Sequence, residues 1–126
     1  MTTCLAESVY LFERALKTRG YLFQRDRHTF NVTLANGGKF SLSFFEGNRR
    51  MMISHGVYLP ESERGKGIGK KLLQLREQIA SEAGVNLLMA TVRNDNPIEI
   101  HLLENAQWER LWNRQETGVS LWIKKL

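Results

Sequence analysis

The residues best suited to chemistry form one run, Leu59-Pro60-Glu61-Ser62-Glu63-Arg64-Gly65-Lys66-Gly67-Ile68-Gly69-Lys70-Lys71-Leu72-Leu73. Three glycines alternate with other residues, and Arg64, Lys66, Lys70 and Lys71 surround them with positive charge. The run sits between a segment of strand character and one of helical periodicity. Backbone N–H groups of a first helical turn have no intrahelical acceptor and lie at the positive end of the helix dipole, so such a junction attracts anions, phosphate above all. Glycines let phosphate oxygens approach the main chain. Two familiar phosphate loops fail on spacing. A Walker A loop needs four residues between its first Gly and the Gly-Lys, followed by Ser or Thr; here Gly65 to Gly69-Lys70 is one residue short and Lys71 follows. A dinucleotide fingerprint would need Gly or Ala at position 70, which is Lys. The plain alternative is a flexible basic loop at a helix start.

The elements that must position this run read as follows. Leu5, Val9, Phe12 and Leu16 recur at helical spacing before Gly20, which predicts a helix over Leu5 to Thr18. Phe30, Val32 and Leu34 alternate, Asn36-Gly37-Gly38 supplies a tight turn, and Phe40, Leu42 and Phe44 alternate again, the pattern of a β-hairpin. Glu46-Gly47-Asn48 turns the chain into Met51 to Leu59, completing a three-stranded meander. Ile68, Leu72, Leu75 and Ile79 mark a helix from Ile68 to Ala83. Asn86 to Val92 reads as a buried strand. Asn96-Pro97 opens a helix to about Asn105, and Trp108 to Arg114 pairs with Val119 to Lys124 across Glu116-Thr117-Gly118. The order predicts a mixed α/β (α+β) domain with a largely antiparallel sheet, because only the strand-helix-strand unit around Ile68 to Val92 needs a parallel crossover.

Composition excludes several classes. The chain has 126 residues and no internal repeat, which predicts a single domain over 1–126. With 42% hydrophobic and 25% charged residues it is too apolar for a disordered chain. Its longest apolar runs are strand-sized, far short of the roughly 20 residues that span a bilayer. The start lacks the basic and apolar stretches of a secretory signal, so a cytoplasmic location is expected and no membrane partner. Cys4 is the only cysteine; it makes no internal disulfide and belongs to no cysteine zinc site, and no metal is expected. Eighteen Lys and Arg against 13 Asp and Glu give +5, which points to an anionic partner without naming it.

The run Arg64-Gly65-Lys66-Gly67-Ile68-Gly69 resembles the Arg/Gln-x-x-Gly-x-Gly/Ala signature of the GNAT superfamily of N-acetyltransferases. Val57-Tyr58-Leu59 and Pro60-Glu61 are similar to the end of the family's fourth strand and the residues after it. Val92-Arg93-Asn94-Asp95-Asn96 is similar to its fifth strand and the Asn that begins the next helix, and Trp108 falls where a Gly-Phe pair usually ends that helix. The resemblance implies a GNAT-like acyl-CoA N-acyltransferase fold, its sheet splayed between the fourth and fifth strands and flanked by helices. It implies acetyl-CoA as cosubstrate, with the pyrophosphate on backbone N–H groups of Gly65, Lys66, Gly67, Ile68, Gly69 and Lys70, Arg64 beside them, and the pantetheine arm along Val57, Tyr58 and Leu59. Asn96 would contact the cofactor or cap its helix, or both. The expected activity is acetyl transfer to a primary amine by direct attack.

Such a reaction needs a neutral amine, a donor for the developing oxyanion and a proton for the departing thiolate. His55 is the candidate base, since imidazole titrates near neutrality; a family member with a His at the corresponding strand position uses it for proton removal. Strand alternation puts His55 on the same side as Val57 and Leu59. The alternative is a structural His satisfied by a backbone carbonyl, and Glu46, Glu61 and Glu63 are rival carboxylates. The backbone N–H of Val57 matches the family's oxyanion donor. Leu103 departs from the pattern, standing where a Tyr usually protonates the thiolate, and Gln107 stands in place of a usual Gly. His101 is turned about 200° away on the helix. Glu99 and Asn96 share the Leu103 face and could hold a proton-carrying water, or the thiolate leaves without an enzyme acid. Before the meander, only Leu5 to Thr18 and Tyr21 to Gln24 stand in for the family's first strand and two helices. Tyr10, Tyr21, Phe23, Tyr58 and Trp112 are candidates to line the acceptor site or to fill the core.

The acceptor itself is unidentified, and the protein's own field disfavours strongly cationic ones. Two other readings stand beside the transferase: an inactive acetyl-CoA-binding protein, motivated by Leu103, and a basic nucleic-acid-binding module, which lacks interleaved basic and aromatic residues. A homodimer is compatible with everything above.

Overall fold

The computed structural model describes residues 5–126; Cys4 and the expectation attached to it lie outside the described residues. Helix α1 (Leu5–Thr18) buries Val9, Phe12, Ala15 and Leu16 and stops at Gly20, whose φ of 76° admits the left-handed turn that returns the Tyr21 N–H to the Leu16 carbonyl. Strands β1 (Leu22–Asp26), β2 (Thr29–Thr33), β3 (Lys39–Phe45) and β4 (Asn48–Tyr58) follow as an antiparallel meander. Then come a 3₁₀ turn at Glu61–Glu63, α2 (Ile68–Glu82), β5 (Leu87–Arg93), α3 (Pro97–Asn105), β6 (Glu109–Arg114) and β7 (Val119–Lys125). The sheet runs β1-β2-β3-β4-β5-β7-β6, and only β4 and β5 are parallel.

The meander has four strands where the sequence predicts three. Strand β1 lies at the sheet edge with four of its five residues exposed, so hydropathy alternation barely marks it. Phe23 is its one half-buried residue, with its ring centroid 5.9 Å from that of Phe30, and Arg25 on the same face reaches Glu13 of α1 at 3.8 Å.

All three helices lie on one face of the sheet. The crossovers β4-α2-β5 and β5-α3-β6 move the chain in the same direction across the sheet, and right-handedness then puts both helices on the same side. Lys124 joins them, reaching Glu77 of α2 at 3.6 Å and the Ala106 carbonyl after α3 at 2.6 Å. Helix α1 packs beside α2, and the Arg19 guanidinium grips Glu82 through two hydrogen bonds of 2.8 and 2.6 Å. Toward this layer point Phe30, Val32, Phe40, Leu42, Phe44, Met52, Leu88, Ala90, Val92 and Trp122, which with Phe12, Leu16, Leu72, Leu73 and Ile79 form the core. The Phe12 ring anchors it, 4.5 Å from Phe30 and edge-on to Phe44 at 5.9 Å. No described helix covers the other face.

Two irregularities shape the centre. Phe40 is opposite Val57 and Leu42 is opposite Ser54, so two residues on β3 span three on β4 and His55-Gly56 forms a bulge facing Ser41. Immediately beyond it the sheet forks. The β4/β5 ladder runs only from Met51↔Leu87 to Ser54↔Ala90; afterwards β4 continues with β3 and β5 with β7, leaving a notch between them. The splay expected from the resemblance is present.

Below the fork, Arg76 of α2 is 4% exposed. Its Nη1 donates to Ser54 Oγ at 2.5 Å and its Nε to the Leu72 carbonyl at 3.3 Å. Among the described residues no carboxylate comes within ion-pair distance of it. Burial lowers its pKa to about 10, with the charges of Glu99 and Glu77 opposing the shift. The folded pKa lies below the unfolded one, so the cost of burying the cation is fully present below about pH 10 and declines only as pH rises above it. Arg76→Met should therefore leave stability within about 1 kcal/mol of the parent or raise it, whereas Ser54→Ala strips the guanidinium of a partner and should cost about 1–3 kcal/mol. Gln107 has φ 64°, and Gln107→Gly should remove about 1 kcal/mol of left-handed strain. Urea unfolding of the three variants reads these values.

Candidate active site

The glycine run becomes a concave junction between the end of β4 and α2. Gly67 is the N-cap of α2 with φ 77°, and no side chain caps the helix. The first intrahelical bond is Lys71 N–H to the Gly67 carbonyl at 3.3 Å, so the N–H groups of Ile68, Gly69 and Lys70 precede the helical ladder. Gly65 also has φ 77°, and a Cβ built at Gly65 or Gly67 meets nothing within 4 Å: the space in front of the loop is open. Gly69 faces α3 instead, where a Cβ would sit 3.2 Å from Leu102 Cδ1 and the leucine side chain would have to shift slightly. Arg64 folds the loop, its Nε donating to the Leu59 carbonyl at 3.0 Å. Lys66 lies 3.9 Å from Glu63, and Ile68 packs against the core. Lys70 and Lys71 stay exposed. The junction offers free donors, room and positive charge on the helix side of the notch, which fits a pyrophosphate.

The bulge corrects the expected orientation of His55. Simple alternation puts His55 and Val57 on one side, but the extra residue at the bulge reverses the parity. Val57 packs toward the core opposite Phe40, and Leu59 also packs on the core. His55 instead stands exposed on the helix-free face, its Nε2 2.8 Å from Ser43 Oγ, which is 2.7 Å from Thr29 Oγ1. Its partner is thus a hydroxyl, not a backbone carbonyl. Ser43 and Thr29 carry no motif, and only the register of β2, β3 and β4 brings them into one row with His55. When Nε2–H donates to Ser43, Nδ1 keeps a free lone pair and is the basic atom. Tyr58, 53% exposed, shares this face with Lys39.

The other sequence candidates separate. Asn96 caps α3, its Oδ1 accepting from the Glu99 N–H at 3.2 Å. Leu103 is 1% exposed within the core, so its side chain turns away from solvent, while His101 is exposed. Glu99 is half-buried on the first turn of α3. Phe23 and Tyr21 pack on the core, Tyr10 is exposed on α1, and Trp112 is opposite Leu121 on the helix-free face with Arg114 5.1 Å over its ring. Glu46 lies in the β3–β4 turn, while Glu61 and Glu63 belong to the 3₁₀ turn.

Known proteins share this arrangement. The model of the acetyltransferase (GNAT) family matches residues 9–107. A segment of 65 residues, 52% of the chain, is 36% identical to the L-methionine sulfoximine/L-methionine sulfone acetyltransferase of Pseudomonas aeruginosa and spans 37% of that relative's length. Among solved structures, the Salmonella typhimurium protein yncA with its cofactor acetyl-CoA superposes with a TM-score of 0.66 at 21% identity, covering 90% of this chain and 69% of the other. The GNAT domain of the S. lividans protein PAT gives 0.65 at 16% identity, covering 97% and 85%. With the family model matched from α1 to the end of α3 and the forked sheet superposing on solved GNAT proteins, this chain belongs to the acetyltransferase (GNAT) family.

Proposed function

We propose that the chain, acting as one domain, moves an acetyl group from acetyl-CoA to a primary amine. The observation that carries this reading is the fork of β4 from β5 beside an open, uncapped α2 N-terminus. The N–H groups of Ile68, Gly69 and Lys70, with Lys66, Lys70 and Lys71 nearby, hold the pyrophosphate, and the pantetheine follows Val57 to Leu59 into the notch in the manner of an added strand. When bound, acetyl-CoA supplies a thioester carbonyl at the fork. Cofactor and acceptor then approach from opposite faces, and His55 stands on the acceptor's side. His55 Nδ1 takes the amine proton while the nitrogen's lone pair forms the new C–N bond, and Ser43 holds the ring through Nε2. The Val57 N–H is the donor assigned to the carbonyl oxygen. The C–S bond breaks with its electron pair on sulfur. With Leu103 in the core, the thiolate leaves without an enzyme acid, which thiols allow because they are far more acidic than amines. Asn96 serves as the α3 cap rather than as a proton carrier. A cytoplasmic setting belongs to the same proposal, supported by the absence, among the described residues, of any helix long and apolar enough to cross a membrane.

Isothermal titration with acetyl-CoA should give a dissociation constant in the micromolar range, and no heat at several hundred micromolar overturns the reading. Gly67→Ala puts a methyl group into the open cradle and strains φ 77°, so affinity should fall about 10-fold, or ~1.4 kcal/mol. His55→Ala should lower kcat about 10²–10⁴-fold and abolish the acidic limb of the pH-rate profile. A profile of unchanged shape removes His55 as base.

A further inference from the structure

On the helix-free face beside His55, across the sheet from the α2 layer, lies a depression of about 370 Å³. Its polar rim is Asn31, Thr33, Lys39, Ser41, Gly56 and Tyr58. The register explains the grouping: Asn31 pairs with Ser41, Thr33 with Lys39 and Lys39 with Tyr58, all turned to the side on which His55 and Ser43 stand. Val32, Phe40 and Val57 face the core and supply the floor. Gly56, the second residue of the bulge, has nothing within 4 Å of where a Cβ would be, so the depression runs open from His55 to Tyr58.

We propose that this depression is the acceptor subsite and that it selects amines carrying a carboxylate several bonds from the nitrogen; the inference rests on the transferase reading above. Lys39 is the only charged side chain lining the depression, is exposed, and among the described residues forms no ion pair. Its strand partner Tyr58 lies three residues beyond His55, but His55-Gly56 share one strand position, so the separation is roughly 7 Å along β4 at about 3.3 Å per residue. An acceptor whose amine meets His55 thus extends its other end to the Lys39 ammonium. Ser41 Oγ donates to Asn31 Oδ1 at 3.0 Å, which leaves the Asn31 amide hydrogens facing the bound chain, and the Tyr58 ring covers its methylenes. The overall +5 charge favours the same choice, since a diamine would be repelled both by the global field and by Lys39. In the reaction the acceptor nitrogen forms the bond to the acetyl carbon as the C–S bond breaks, its proton passes to His55, and the carboxylate is unchanged.

Three acceptors of equal chain length separate the outcomes: 6-aminohexanoate, hexylamine and 1,6-diaminohexane, each assayed with labelled acetyl-CoA. The expected kcat/KM for 6-aminohexanoate exceeds that for the diamine at least 10-fold, mostly through KM. Lys39→Glu should invert the order while binding acetyl-CoA as the parent does, and Gly56→Val should raise KM for all three. Equal kcat/KM across the set, an order unchanged by Lys39→Glu, or acetyl-CoA binding with no acetylation of any of the three overturns the subsite. Loss of acetyl-CoA binding overturns the transferase reading instead. In that event an NMR titration of the free protein with 6-aminohexanoate still tests the subsite: shifts at Asn31, Gly56 and Tyr58 support it, and none there refutes it.

Discussion

One extra residue in β4 governs the centre of this molecule. At His55-Gly56 two residues occupy the space of one, and three consequences follow from that local constraint. The strand bends away from β5, so the parallel ladder ends at Ser54↔Ala90 and a notch opens. Side-chain parity reverses, sending His55 to solvent while Val57 returns to the core. Gly56 leaves a gap in the side-chain surface at the same place. Arg76 lies under the last paired residue and holds Ser54 from the helix side. A buried cation with so few partners is a costly brace, and its position below the fork is where a strand deprived of its neighbour lacks support.

The bulge also gives the two faces of the sheet different work. On the helix side, the dipole of α2, its free N–H groups and four basic residues concentrate positive potential at one end of the notch. On the other side a row of hydroxyl and amide groups, with His55 at its head, is almost uncharged. Ion pairs elsewhere join Arg19 to Glu82, Arg25 to Glu13, Arg93 to Asp95 and Lys124 to Glu77. Of the chain's 18 Lys and Arg, four, Arg64, Lys66, Lys70 and Lys71, gather in the short run where phosphate would sit.

How much of this is legible in the sequence differs by the range of the interaction. The glycine run, α2, α3 with its Asn96-Pro97 start, and both hairpins rest on local signals, namely turn chemistry, caps and periodicity, and the structure places them within a few residues of expectation. Strand β1 is hard to read because an edge strand needs no apolar alternation. The bulge is invisible for a different reason: His55-Gly56 looks like ordinary strand, and only the register against β3 shows that it holds a surplus residue. The Ser43 and Thr29 hydroxyls, and the pairing of Arg76 with Ser54, depend on contacts between residues 12 to 22 positions apart, which periodicity does not encode. Leu103 illustrates the converse. Its departure from the family pattern is plain in the sequence, but its place inside the core appears only in the fold.

The four-residue ladder between β4 and β5 has a mechanical meaning. Within the sheet it is the sole seam joining a wing of four strands, β1 to β4, to a wing of three, β5, β7 and β6, so the sheet is two plates stitched at one end. Each plate is internally antiparallel and well paired, and α2 fastens the stitched end from behind. A chain-like molecule laid into the open end and hydrogen-bonded to both plates would splint them, turning a hinge into a continuous sheet. At the open end the two wings are otherwise joined only from the helix side, through the core that residues of both share, so a molecule in the notch would add main-chain pairing where the sheet itself has none.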